Sequence, residues 1–159
     1  MVIDFLVILA AQTKRLEKVL GRILAIDYGM KRVGLAVTDP LQIIATRLGT
    51  IPSKQIWPFL GKYFERETVD RVIIGYPVQL NNMPSEALNY INPFIKAFTR
   101  KFPDMEIELV DERFTSSLAH HAMLEGGLKK SDRQNKALVD GISATIILQS
   151  WLEQKRNIS

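Results

Sequence analysis

Arg22-Ile23-Leu24-Ala25-Ile26-Asp27-Tyr28-Gly29-Met30-Lys31-Arg32-Val33-Gly34-Leu35-Ala36-Val37-Thr38 decides how the rest of the chain reads. Residues 22–27 are an apolar run stopped by Tyr28-Gly29, the pattern of a buried strand ending in a turn. Residues 33–38 form a second run, closed by Asp39-Pro40 at hairpin-like spacing. Residues 43–51 give a third strand, ended by Pro52. Three leading strands predict an antiparallel meander. From there helices and strands alternate. Ser53 is placed to cap a helix over 53–67, with Ile56, Phe59, Leu60 and Phe64 on one face and Pro58 early in it. Residues 69–76 are a β-branched run stopped by Pro77, the signature of a strand covered on both faces.

Beyond a loop at 78–83, Pro84-Ser85-Glu86 starts a helix reaching about 102. Its stripe is Ala87, Tyr90, Ile91, Phe94, Ile95 and Phe98, and Pro93 is a kink position. Residues 106–113 read as a fifth strand and 116–125 as a short helix ended by Gly126-Gly127. Residues 128–133 read as a basic loop, and 134–154 as the last helix. Alternating strands and helices predict parallel βαβ units. The expected fold class is α/β, with a mixed five-stranded central sheet flanked by helices in a single domain over residues 21–156.

The length of 159 residues suits one core, and 47% apolar with 24% charged residues is ordinary for a globular chain. With no cysteine and two histidines, thiolate and His-rich metal sites are excluded. Any metal is then held by oxygen, which favours Mg²⁺ or Mn²⁺. The lack of cysteine also fits a reducing cytoplasm. Net charge +4 permits nucleic-acid binding without requiring it. Residues 1–20 read as an N-terminal extension. Its apolar stretch is interrupted by Asp4, follows no basic residue and is too short to span a bilayer.

Three carboxylates carry the chemistry. Asp27 ends the first strand, where α/β sheets expose their sites; an Asp there also serves as a turn former. Glu112 lies in the fifth strand, where Asp111 and Glu112 point to opposite faces. A strand-end salt bridge with Arg113 is its plain alternative. Asp140 shares a helical face with Ala137, Ala144, Ile147 and Trp151. An unpaired carboxylate on that face is costly to bury, so it calls for a metal ion or a basic partner; on an exposed face it would pair with Lys136. Three acids on separate elements suit phosphodiester hydrolysis, in which cations position a water and neutralise growing charge. Lys31, Arg32, Arg113, Lys129, Lys130, Arg133 and Lys136 are the candidate phosphate contacts, with Asp111 and Ser143 as supporting residues. The expectation is a metal-dependent nuclease. His120-His121 point about 100° apart on a helix and read as packing or surface residues, and Trp57 and Trp151 read as core.

The stretch Asp27-Tyr28-Gly29-Met30-Lys31-Arg32-Val33-Gly34-Leu35-Ala36 resembles the opening motif of the YqgF/RuvX family, whose members are described as Holliday junction resolvases and pre-16S ribosomal RNA nucleases. The resemblance continues through Ile73-Ile74-Gly75-Tyr76-Pro77, Asp111-Glu112-Arg113-Phe114-Thr115-Ser116 and Lys136-Ala137-Leu138-Val139-Asp140 with Ser143-Ala144. It spans about residues 21–153. It implies a ribonuclease H-like fold, Asp27, Glu112 and Asp140 as the active-site acids, a bacterial cytoplasmic protein, and action at the 5′ end of precursor 16S rRNA. Residues 78–83 depart from the family in lacking a glycine. Precursor rRNA and a four-way DNA junction both remain as substrates, ribosomal particles as a partner, and monomer or homodimer as the assembly; no membrane is expected. Two other classes compete, a nucleotide-binding module and a non-catalytic nucleic-acid-binding protein. The first is weakened because actin-like folds pair two such domains and no P-loop is present.

Overall fold

The computed structural model describes residues 6–7, 21–77, 85–111, 127 and 129–158. Five strands form one sheet: β1 (Arg22–Tyr28), β2 (Arg32–Thr38), β3 (Ala45–Pro52), β4 (Val69–Tyr76) and β5 (Glu106–Asp111). The order across the sheet is β3-β2-β1-β4-β5. The first three are antiparallel neighbours, and β4 and β5 add in parallel to β1. The expected meander and crossovers are both present, and the fold is ribonuclease H-like. No helix among the described residues is long and apolar enough to cross a membrane.

Because β1 and β4 are apolar on both sides, the sheet supports two cores. Leu24 and Ile26 of β1 and Val72 and Ile74 of β4 pack on one face. There they meet helix α1 (Ile56–Arg66) through Ile56, Leu60 and Tyr63, and helix α2 (Leu88–Lys101) through Phe94 and Phe98. Aromatic rings fill the gap: Tyr28 stacks on Phe94 at 4.1 Å and Phe64 meets Phe102 edge-on at 5.0 Å. The alternate residues Ile23, Ala25, Ala36 and Ile73 face the other way, onto Ala144, Ile147, Leu148 and Trp151. Those belong to helix α4 (Lys136–Ile158), preceded by a single turn, α3 (Lys130–Arg133).

Several boundaries differ from expectation for local reasons. β3 starts at Ala45, because the Asp39 carboxylate accepts the N–H groups of Leu41, Ile43 and Ile44 and folds them into a turn. Ser53 does not cap α1. Its hydroxyl donates to the Gly29 carbonyl at 2.7 Å, and residues Ser53–Gln55 form a 3-10 turn before the helix. Pro58 sits in the first turn of α1, where its missing N–H costs nothing. α2 begins at Leu88, after the Ser85 hydroxyl accepts the Ala87 N–H. Pro93 lies inside it without ending it. The basic loop contains the helical turn α3, and α4 runs four residues past its expected end. The loop at 78–83, the helix at 116–125 with Gly126, the end of the fifth strand, and nearly all of the extension lie outside the described residues.

Candidate active site

β1, β4 and β5 are parallel, so Tyr28, Tyr76 and Asp111 end at one edge of the sheet. β2 runs the opposite way and begins there with Arg32. The turn between β1 and β2 is pinned from outside. The Ser53 hydroxyl holds the Gly29 carbonyl, the Ser53 N–H donates to Lys31 and the Gly29 N–H donates to Arg32. A Cβ on Gly29 would stand 2.7 Å from the Arg32 carbonyl oxygen, so the turn closes only around a glycine.

Asp27 is half-buried near the end of β1, opposite Gly34 of β2. Strand alternation puts it on the face of Ile23 and Ala25, the α4 face. Gly34 is what brings α4 in. A Cβ at that position would lie 2.1 Å from the Asp140 carbonyl oxygen and 2.5 Å from its carbon. The helix backbone therefore rests directly on the strand beside Asp27. Residues far apart in sequence reach one edge because a single side chain is missing.

The Asp140 carboxylate is 28% exposed and accepts the Arg32 Nε–H at 3.0 Å. Arg32 is thus the basic partner that the core-facing position of Asp140 calls for; Lys136 is exposed and makes no ion pair with it. Lys31, Lys129 and Lys130 are exposed on the same chain segments as expected. The Ser143 hydroxyl donates to the Val139 carbonyl within its own helix. Asp111 pairs in register with Tyr76 and alternates with Val110, which faces α4. It therefore belongs to the opposite face. Glu112 and Arg113, and the side chain of Arg133, lie outside the described residues.

The acids at the other edge are taken up structurally. Arg22 binds Glu67 at 3.0 Å, and Asp70 accepts the Gly21 N–H and the Gln42 amide. Arg71 bridges Glu106 and Glu108 at 2.5 and 2.7 Å. Burial pushes the Glu108 carboxyl up, but Trp151, Lys155 and Arg71 outweigh it and hold Glu108 below the ordinary glutamate value. The Trp151 indole N–H lies close enough to contribute, although it makes no hydrogen bond of full geometry.

Among the described residues no three Asp, Glu or His side chains converge. Asp27 and Asp140 bring two carboxylates to one edge and one face. That all-oxygen donor set fits a hard divalent cation. One further group stands at this face without any signal in the sequence. Arg47 of β3 lays its guanidinium across α4 at Gly141, where a Cβ would stand 2.3 Å from Nε and 3.2 Å from Cζ.

A family model described as "RuvX: Holliday junction resolvase" matches residues 21–154. A protein of Phocaeicola vulgatus named "Putative pre-16S rRNA nuclease" is 62% identical over 139 residues, covering 87% of this chain and 100% of its own length. A protein of Bacteroides fragilis with the same name is 58% identical over 137 residues, covering 86% and 99%. Among solved structures, T. thermophilus RuvC in complex with Holliday junction substrate superposes with a TM-score of 0.53 at 15% identity. That match covers 84% of this chain and 96% of the other, and it bears on the fold alone.

Proposed function

Since the chain belongs to the RuvX family, we propose that it is a nuclease that cuts phosphodiester bonds at the carboxyl edge of its sheet, with precursor 16S rRNA as the substrate. The observation that carries this reading is the seat of Asp140 on Gly34, beside Asp27. The name borne by the relatives supports the RNA substrate.

Asp27 and Asp140 would hold a divalent cation, Mg²⁺ or Mn²⁺. Glu112, which lies outside the described residues, is the third acid on the strength of the sequence motif Asp111-Glu112-Arg113. A cation held there would supply neutralisation of the charge that grows on the phosphoryl group. The protein's own part is positional. The pinned turn after β1 fixes Asp27. The Gly34 contact fixes the height of Asp140 above the sheet. Arg32 donates to the Asp140 carboxylate at 3.0 Å. Lys31, Lys129, Lys130 and Lys136 are exposed cations available to a polyanion, with Arg113 and Arg133 as further candidates from the sequence. The protein acts in the cytoplasm, on free precursor or on ribosomal particles.

A four-way DNA junction is the second reading, favoured by the description of the family model; cutting two strands symmetrically would use a homodimer. Purified protein incubated with a 5′-extended 16S precursor and with a synthetic junction, in Mg²⁺ or Mn²⁺, separates the two. Cutting that stops with EDTA and in Asp27→Asn is the expected result, and the preferred substrate chooses between RNA and DNA. Folded protein that cuts neither would overturn the nuclease reading.

A further inference from the structure

The register of β2 against β3 slips by one residue. Leu35 pairs with Gly49, but Ala36 pairs with Arg47, so Leu48 is the extra residue of a β-bulge. Gly49 stands at φ 151°, a backbone state open to glycine and strained for other residues. The slip changes which side chains share a face. Beyond the bulge, Ile51 packs with the first core beside α1. Before it, Ala45 packs against the second core, and Arg47 sits opposite Ala36 of that core. Plain alternation would send Arg47 to the side of Ile51. The bulge sends it to α4 instead.

There the guanidinium meets Gly141, the residue after Asp140. A helical glycine costs about 1 kcal/mol relative to alanine, so its presence one residue beyond a candidate site acid suits a close approach. Arg47 is exposed and has no carboxylate partner among the described residues, whereas Arg32 is engaged by Asp140. A guanidinium held by packing and left without an anion is organised for a planar, bidentate acceptor, and phosphate is the acceptor that the proposed reaction brings to this face.

We propose that Arg47 is a substrate-contact residue that binds a backbone phosphate of the nucleic-acid strand beside the scissile bond, positioned by the Leu48 bulge and by Gly141. This rests on the nuclease reading. The test uses fluorescence anisotropy of the labelled 16S precursor fragment and of the labelled four-way junction, in EDTA, across a salt series. Arg47→Met keeps the apolar stem over the helix and removes the charge. It should weaken binding about tenfold and lower the slope of log affinity against log salt by about one, with an unchanged melting temperature. In cleavage assays KM should rise while kcat holds. Gly141→Ala adds a methyl where the guanidinium lies, and should give the same loss of affinity in a helix no less stable. Unchanged affinity and salt slope in Arg47→Met, with wild type binding and cutting, would sink this proposal and leave the nuclease reading standing. A wild type that binds and cuts neither probe would sink both.

Discussion

The two faces of the sheet are packed by different means. On the α1 and α2 face, large side chains dominate: Tyr28, Phe94, Phe98, Phe64 and Phe102 interlock through ring contacts. On the α4 face Ile23, Ile73, Ile147, Leu148 and Trp151 are also large, but the residues nearest Asp27 and Asp140 are small. Ala25, Ala36 and Ala144 are fully buried, and Gly34 admits helix backbone. Large side chains give much buried apolar area, and they hold the helices at a distance that repacking can adjust. Small ones bring a helix to the strand at a fixed height, with no side chain between to absorb an error. The first arrangement stabilises the sheet. The second sets a carboxylate.

That contrast predicts opposite outcomes for substitutions on the two faces. The largest effect should come from Asp27→Asn and Asp140→Asn. If these acids hold the cation as proposed, losing one removes several kcal/mol of charge stabilisation, or roughly a thousandfold in kcat at about 1.4 kcal/mol per tenfold. The melting temperature should barely move, because the Arg32–Asp140 pair is partly exposed and contributes about 0–1 kcal/mol. If Asp140→Asn unfolds the protein instead, the acid is a structural element and the contrast fails. Next is Phe98→Ala in the first core, where the fully buried ring makes a loss of about 3–5 kcal/mol expected in urea unfolding. Activity per folded molecule should be unchanged.

Gly34→Ala comes next, at about 1–3 kcal/mol of overpacking. It sharpens the comparison most, since a shift of α4 by about 1 Å should cost about a hundredfold in kcat. Equal, small losses in both quantities would show that α4 can tilt away harmlessly. The smallest effect concerns acid stability. The N–H of Ile44 foremost, with those of Ile43 and Leu41, holds the Asp39 carboxyl below the ordinary aspartate value. Its folded pKa lies below the unfolded one. The contribution is therefore full above the unfolded value of about 3.9, and it is lost as the pH falls through the depressed value. Asp39→Asn should be slightly less stable at neutral pH, with a flatter decline below about pH 4, as a thermal-melt series would read.

Much of the scaffold is legible in the sequence because its signals are local. The β-branched run at 69–76 is bounded by Thr68 and Pro77, and it forms the strand Val69–Tyr76. The aromatic stripe of α2 likewise reads directly from its period. Signals fail where a distant group competes with a local one. Ser53 has an ideal capping position, yet the Gly29 carbonyl, 24 residues away, takes its hydroxyl. Asp140 has Lys136 one helical turn away, yet it pairs with Arg32, 108 residues distant. Arg47 is hidden for another reason. A bulge inverts the parity of a strand, and no periodicity marks where parity breaks. Asp27 and Asp140 are visible as chemistry, but their meeting depends on Gly34, and an absent side chain gives a sequence reader little to find.

The same bulge bears on solubility. β3 is one edge of the sheet, and an edge strand offers unpaired N–H and C=O groups to any strand that arrives, including that of another copy. The extra residue Leu48 breaks the even spacing of those groups, and Pro52 withdraws a donor at the strand's end. Excising Leu48 would restore an uninterrupted edge while rotating Arg47 away from α4. Resistance to aggregation and the reach toward substrate therefore hang on a single inserted residue, and a chain under selection for either would keep it for both.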